Sequence, residues 1–270
     1  MDGDGTIYTH NQNIASQEII DSIISMLKKG LCFGLVTAAG YPGKAERYEE
    51  RLELLLAAMY KEFVRPDGTC DDVLQRFFVL GGECNYFLRP YVEARKEAPG
   101  RLRLAFVPDA DWKTDVLKEW DGDDITAMLD KTSKALAEAT QRLQLPVDTI
   151  RKERAIGIIP REPTTVEVLE EVVLSVHYEL NDSSIPFTAF NSKDDVWLDI
   201  GSKGHGIQCM RKLFGIASAS QALHIGDELY KTGNDRTART NACTVWVGNE
   251  RETPFYLRLL HELHNPDKIG

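Results

Sequence analysis

The segment Met1-Asp2-Gly3-Asp4-Gly5-Thr6-Ile7-Tyr8 carries two carboxylates two residues apart, and a hydroxyl follows two residues further on. Such oxygen ligands can bind a divalent cation while one carboxylate stays free to react. Asp and Gly are also common turn residues, so these eight residues alone are equally compatible with an ordinary turn. The motifs elsewhere in the chain decide between the two interpretations.

The rest of the chain alternates short apolar segments with longer helical ones, which is typical of α/β proteins with a mainly parallel sheet. Residues 1–88 and 196–270 are predicted to form the core, and residues 89–195 an inserted α+β cap. Strands are predicted at 31–36, 77–80, 102–107, 155–159, 187–190, 222–225 and 244–247, and helices at 19–27, 43–63, 125–143, 165–180, 207–213 and 254–264.

Composition excludes several classes of protein. The 270 residues contain 32 Lys plus Arg and 42 Asp plus Glu, for a formal net charge of −10. This balance argues against a nucleic acid polymer as partner, because such binding depends on clustered Lys and Arg. No apolar run reaches the roughly 18 residues that a membrane helix needs. Five dispersed cysteines without C-x-x-C spacing indicate reduced thiols of a cytoplasmic protein.

Three further motifs follow along the chain, and those of Thr37 and Asp227 come directly after predicted strands. Thr37 begins the small-residue segment Thr37-Ala38-Ala39-Gly40, whose backbone amides could bind phosphate oxygens. Lys203 lies among glycines just before a helix, a position that favours an anion. A strand ends at Gly226-Asp227, and Asn234-Asp235 follows shortly after. Asp227 would give a metal ion a second carboxylate ligand.

Two other groups of residues have more ordinary interpretations. His261 and His264 are three residues apart, whereas the H-E-x-x-H zinc motif needs four, so we interpret them as a solvated helix face. Arg151, Arg154 and Arg161 could face the site from the cap, but a charged strand edge is equally plausible.

The motifs occur in the order acid pair, threonine, lysine and acid, which resembles the motif order of the haloacid dehalogenase superfamily. The insertion between the threonine and lysine motifs is similar to the cap insertion of its phosphomannomutase-type branch. Longer blocks resemble the IMP-specific 5′-nucleotidase family across essentially all of the chain. These blocks are Asp2–Tyr8, Val36–Gly43, Gly81–Tyr86, Arg154–Pro160 and Asp194–Gly201. The resemblance implies a Rossmann-like haloacid dehalogenase core with a parallel sheet, and an inserted α+β cap that sets substrate specificity.

The resemblance also implies a reaction, Mg²⁺-dependent hydrolysis of IMP to inosine and phosphate through an aspartyl-phosphate. Asp2 would be the nucleophile and Asp4 the general acid and base. The Asp2 carboxylate, the Asp4 backbone carbonyl and Asp227 would bind Mg²⁺. The remaining implied roles are phosphate binding by Thr37, Ala38, Gly40 and Lys203, nucleotide contacts by Asp195 and His10, and support of the metal site or Lys203 by Asn234 and Asp235.

Two alternatives remain open at this point. A sugar-phosphate mutase or phosphatase would use the same acids, and an inactive nucleotide-binding fragment would retain them without turnover. Only Met1 precedes Asp2, where the family has several apolar residues. The family's N-terminal segment, linked to oligomerisation and ATP regulation, has no match. We therefore expect the catalytic portion of a longer, homo-oligomeric and by resemblance tetrameric protein.

Overall fold

The computed structural model describes residues 1–70, 72–94, 100–114, 117 and 120–263. Ten strands are described: β1 Phe33–Val36, β2 Phe77–Gly81, β3 Tyr86–Glu93, β4 Arg101–Phe106, β5 Val147–Arg151, β6 Ala155–Pro160, β7 Phe187–Asn191, β8 Val196–Ile200, β9 Leu223–Gly226 and β10 Cys243–Trp246. The described α-helices are α1 Gln17–Lys28, α2 Ala45–Arg51, α3 Glu53–Phe63, α4 Asp109–Trp112, α5 Gly122–Arg142, α6 Val166–Glu179, α7 Lys203–Leu213 and α8 Thr253–Leu263. No helix among these residues is long and apolar enough to cross a membrane.

Two sheet segments are joined through the first two residues of the chain. One has the strand order β1-β2-β3-β4, with β1 and β2 parallel, and the other pairs β9 with β10 in parallel. The Met1 amine donates to Gly34 O at 2.7 Å and the Val36 amide donates to Met1 O at 2.8 Å. On the other side the Asp2 amide donates to Ile225 O at 2.9 Å. Asp2 therefore lies between the carboxyl ends of β1 and β9, where open α/β folds bind ligands.

A third, antiparallel sheet has the order β5-β6-β8-β7. It packs against α5 and α6 through its own apolar cluster, which includes Ile156, Leu169 and Leu198. This unit is the α+β cap, and the α/β class with parallel strands and an inserted cap is confirmed.

Strand pairing corrects the predicted boundaries of 1–88, 89–195 and 196–270 at both junctions. β3 and β4 extend the core sheet to Phe106, and β8 pairs with β6 and β7 of the cap sheet. β3 escaped prediction because Pro90 interrupts its pattern, and proline cannot donate to a ladder. Pro90 is tolerated because β2 ends its pairing with β3 at Leu88, so the proline has no partner on that side.

The helix predicted at 43–63 forms as two helices that meet at Leu52, whose φ of −110° and ψ of 13° are not helical. Ile14 lies in the loop before α1, and its amide donates to the Arg51 carbonyl at 2.9 Å. The Arg51 carbonyl, which a continuous helix would use for its own hydrogen bonds, is therefore used in a tertiary hydrogen bond. The periodicity of the local sequence cannot predict such a break. The last residue of the helix predicted at 254–264, His264, lies outside the described residues.

The burial difference along α6 predicts how the cap is stabilised. Leu169 is fully buried, whereas Leu174 is 40% exposed. We expect Leu169→Ala to lower the free energy of unfolding by about 2–5 kcal/mol through lost burial and a cavity. The matched variant Leu174→Ala should change it by less than about 0.5 kcal/mol. Urea unfolding followed by circular dichroism measures both, and equal effects would contradict the assigned packing of α6.

Candidate active site

Three carboxylates meet at the carboxyl ends of β1 and β9. Asp2, Asp227 and Asp235 each offer an oxygen, and these oxygens lie within 4.8 Å of one another. Asp2 and Asp235 are buried, and Asp227 is partly buried. Such an all-oxygen set of hard ligands suits Mg²⁺ or Ca²⁺.

Two glycines make this close approach possible. Gly5 has a φ of +73°, and a Cβ on it would lie 2.1 Å from Asp227 Oδ2. A Cβ on Gly226 would lie 2.3 Å from the carboxyl carbon of Asp235. The segment from Gly3 to Tyr8 is a tight turn, in which the amides of Thr6 and Ile7 donate to Gly3 O. The turn and the ligand site are therefore the same structure.

Lys203, the first residue of α7, is fully buried against these acids. Its Nζ lies 2.8 Å from Asp2 Oδ1, 2.8 Å from Asp235 Oδ1 and 2.8 Å from the side-chain oxygen of Asn234. Glu83 Oε2 accepts the Lys203 backbone amide at 2.7 Å. Both the amine and the backbone start of α7 are thus held by carboxylates.

The charges around Lys203 are unbalanced. Burial disfavours the charged amine, but Asp2, Asp235 and Glu83 outweigh it and hold the pKa of Lys203 well above its usual value. Burial raises the pKa of Asp2 well above its usual value despite Lys203. Burial and the charge of Asp235 also raise the pKa of Asp227. One amine therefore does not neutralise the cluster, and a bound cation would complete it.

Asp235 is anchored on both oxygens. Burial would raise its pKa, but Lys203 and His224 hold the pKa well below its usual value. Its Oδ1 lies 2.6 Å from His224 Nε2, and its Oδ2 accepts the Glu228 amide at 3.0 Å. Burial lowers the pKa of His224 to about 4, so His224 is neutral at pH 7 and donates this hydrogen bond.

Asp4 has its own contacts, separate from the three-acid cluster. Its Oδ1 accepts the Asn11 amide at 2.6 Å and lies 3.9 Å from His10 Nδ1. His10 in turn exerts its charge on Asp195 of the cap, whose pKa is raised by burial. Asp4, His10 and Asp195 thus form a second polar group beside the first.

The segment from Thr37 to Gly40 follows β1, as predicted. The Thr37 amide donates to Leu80 O, and its hydroxyl accepts the Ala39 amide at 3.1 Å. A Cβ on Gly40 would lie 3.3 Å from the Gly82 Cα. The loop therefore packs closely on the turn between β2 and β3.

Several residues around the site were not predicted from the sequence. Buried Glu83 and His224 contact Lys203 and Asp235, and Lys193 of the cap lies 3.8 Å from Asp227 Oδ2. Lys152 of the cap lies near Gly40. The pattern of β8 could have signalled the cap contribution, because Asp195, Trp197 and Asp199 alternate with aliphatic residues at 196, 198 and 200.

Two of the three arginines considered in the cap, Arg151 and Arg161, form ion pairs on its surface. Arg151 Nη1 lies 2.6 Å from Asp130, and Arg161 Nη2 lies 2.7 Å from Asp148. Arg154 Nε lies 3.9 Å from its neighbour Glu153. The first two are exposed surface ion pairs, in agreement with the charged-edge interpretation.

The parallel strands, the inserted cap and the acids at the strand ends define a haloacid dehalogenase-like fold. A family model described as IMP-specific 5′-nucleotidase matches residues 1–257. The chain belongs to this family, which confirms the resemblance seen in the motifs.

Known proteins support this assignment. IMP-specific 5′-nucleotidase 1 of Aspergillus fumigatus is 35% identical over 276 residues, covering 99% of this chain and 59% of that protein. The structure of N-terminally truncated, IMP-bound Plasmodium falciparum IMP-nucleotidase superposes with a TM-score of 0.83 at 32% identity, covering 96% of this chain and 67% of that one. The ATP-bound structure of that nucleotidase superposes with a TM-score of 0.81 at 32% identity, covering 98% and 60%. The chain thus spans about three fifths of the A. fumigatus relative.

The surroundings of Glu228, next to Asp227, predict a pH effect on stability. Burial raises the pKa of Glu228 to about 8, and its Oε2 has no hydrogen-bond partner. The folded protein keeps this proton up to about pH 8, whereas the unfolded chain releases it near 4.5. The stability that protonated Glu228 contributes is therefore fully present below pH 4.5 and is lost as the pH rises to about 8.

We expect Glu228→Gln to reduce the difference in free energy of unfolding between about pH 5 and about pH 8 by roughly 2–4 kcal/mol. Chemical denaturation in the presence of EDTA measures the difference without metal binding. Glu138→Gln, at an exposed position on α5, is the matched control and should leave it unchanged. A Glu228→Gln protein that keeps the wild-type pH dependence would contradict this role of Glu228.

Proposed function

We propose that this chain hydrolyses the 5′-phosphate of IMP, releasing inosine and inorganic phosphate, and that it needs Mg²⁺ to do so. The observation that carries the proposal is the buried cluster of Asp2, Asp227 and Asp235 around Lys203, in a chain that belongs to the IMP-specific 5′-nucleotidase family. A phosphate monoester resists hydrolysis mainly because of charge and positioning, and this cluster addresses both.

The residues present fit a magnesium ion. Their ligand atoms are carboxylate oxygens, and burial together with neighbouring carboxylates raises the pKa values of Asp2 and Asp227, an effect that a bound cation would oppose. The Asp2 carboxylate, the Asp4 backbone carbonyl and Asp227 would hold the ion, with Asp235 supporting it from its anchored position. Mg²⁺ would supply positive charge that keeps Asp2 ionised and neutralises phosphate oxygens.

Asp2 is the proposed nucleophile. Its free carboxylate oxygen would attack phosphorus in line, and the bond from phosphorus to the 5′ oxygen would break, leaving an aspartyl-phosphate and inosine. Asp4 would donate a proton to the departing 5′ oxygen and then accept one from the water that hydrolyses the intermediate. The position of Asp4 beside but outside the acid cluster supports this separate role.

Substrate binding would be divided between core and cap. Thr37, the amides of Ala38 and Gly40, and Lys203 would hold the phosphate oxygens. Asp195 and His10 would contact the nucleoside, since His10 of the core is near enough to Asp195 of the cap to act on its carboxyl electrostatically. The bound IMP reported for the Plasmodium falciparum structure supports a nucleotide ligand for the same fold.

Further features of the family are part of the proposal. The ATP-bound relative supports regulation by ATP in the complete protein. Homo-oligomer formation and a cytoplasmic location are proposed with it, and the exposed free thiols of Cys32, Cys70 and Cys243 suit a reducing compartment. A sugar-phosphate mutase needs cations for a second phosphate, and the ion pairs of Arg151 and Arg161 disfavour those two residues for it.

A phosphate-release assay over IMP, GMP, AMP and glucose 6-phosphate tests the proposed function. We expect Mg²⁺-dependent release with IMP preferred by about tenfold or more, since a site built around specific polar contacts rejects analogues that lack them. EDTA should abolish the activity and added Mg²⁺ should restore it. Preference for glucose 6-phosphate would favour the mutase or sugar phosphatase, and no turnover with any substrate would favour the inactive fragment.

The role of Asp2 leads to a variant test. We expect Asp2→Asn to lower kcat for IMP by about a thousandfold or more, because the amide cannot act as the nucleophile. Lys203 keeps Asp235 and Asn234 as partners in this variant, so circular dichroism should report a folded protein. Asp124→Asn, at an exposed position in the first turn of α5, should keep wild-type kcat. Unchanged activity in Asp2→Asn would overturn the nucleophile assignment.

A further inference from the structure

Lys152 connects the cap to the loop that follows β1. It begins the turn between β5 and β6, and its backbone amide donates to Ala155 O at 2.8 Å. From this turn its Nζ donates to the carbonyl of Gly40 at 3.3 Å. Gly40 ends the segment that begins at Thr37, so a cap side chain is hydrogen-bonded to the proposed phosphate-binding loop.

The lysine is held in this position by the cap itself. Its Nζ lies 4.3 Å from the centroid of the Trp197 ring, within the range of a cation–π interaction. The indole lies flat against Gly157, where a Cβ would be 2.5 Å from the ring. Burial lowers the pKa of Lys152, and the charges of Asp199 and Asp195 oppose this. An aromatic face and nearby carboxylates therefore direct the amine toward the core.

The neighbouring carbonyl of the loop is fixed differently. Ala39 O accepts the Gly82 amide at 3.0 Å and the Tyr48 hydroxyl at 3.0 Å, and both donors belong to the core. The carbonyl of Gly40 is instead bonded by the cap. The orientation of the peptide after Gly40 thus depends on where the cap lies, whereas that of the preceding peptide does not.

We propose that Lys152 is a positioning residue that docks the cap on the Thr37–Gly40 loop and holds this loop in the conformation that binds phosphate. The proposal rests on the proposed function for the phosphate role of the loop. Lys152 acts through the Gly40 carbonyl and needs no contact with substrate. It couples the placement of the cap to the phosphate site in the core.

Three variants separate this role from general stability. Lys152→Met keeps a side chain of similar length but removes its charge and its hydrogen-bond donors. Lys152→Arg keeps the charge and the donors. Lys131→Met is the matched control, because Lys131 is an exposed cap lysine paired with Asp182 at 2.8 Å. Two quantities are measured for each protein, namely steady-state kinetics with IMP, including inhibition by inorganic phosphate, and hydrogen–deuterium exchange of the segment 36–44.

We expect Lys152→Met to raise both KM for IMP and the inhibition constant of phosphate by about tenfold, the effect of losing one charged hydrogen bond. Its kcat should change much less, because Asp2, Asp4 and Lys203 are untouched. Exchange in 36–44 should become faster, while Lys152→Arg restores most of the loss and Lys131→Met behaves as wild type. The proposal would be overturned if Lys152→Met left hydrogen exchange in 36–44 or inhibition by phosphate unchanged. It would also be overturned if Lys152→Arg weakened substrate and phosphate binding as much as Lys152→Met does. If the wild type fails to hydrolyse IMP, the proposed function fails, while exchange and inorganic phosphate binding still test Lys152.

Discussion

The buried contacts of Lys203 with Asp2 and Asp235 constrain much of the surrounding structure. A charge removed from water is tolerated only when it is paired and hydrogen-bonded, and truncating one partner typically costs several kcal/mol. Lys203 is fully buried and has two carboxylates and an amide oxygen at 2.8 Å. The first residue of α7, the segment Asn234-Asp235 after β9 and the first residues of the chain must therefore meet at one point. Sheet order and helix placement are consistent with this requirement.

The same contacts give the carboxylates of the site different environments. Asp235 has both oxygens occupied by His224, Lys203 and a backbone amide, so it is a fixed anion. Asp2 faces Lys203 but has a raised pKa, so its charge depends on the cation that it would share with Asp227. Asp4 is not part of the cluster around Lys203, and its carboxylate accepts a hydrogen bond from the backbone amide of a loop residue. The three carboxylates thus have different environments, which supports the separate roles proposed for them.

The sequence predicted the fold class and the motif that contains each acid, since strand-end residues are set by local pattern and by topology. It did not predict the contact of Lys152 with Gly40 or of Lys193 with Asp227, because those pairs depend on how the cap is placed over the core. Residues 196–200 were assigned to the core because a short strand pattern does not reveal which sheet the strand joins. Pro90 and the break at Leu52 were missed for a related reason, since pairing partners distant in sequence determine both.

The close contacts at Gly5 and Gly226 have a consequence for how such a site can evolve. The backbone itself forms the wall behind Asp227 and Asp235, and any side chain at either glycine would meet a carboxylate at 2.1 to 2.3 Å. This face of the pocket therefore cannot be adjusted by small substitutions. New specificity would have to come from the cap, which brings a longer, exchangeable side chain, Lys193, to 3.8 Å from Asp227 Oδ2. Under the proposed function, the chemistry and the substrate range would therefore be able to change independently, the first in the core and the second in the cap.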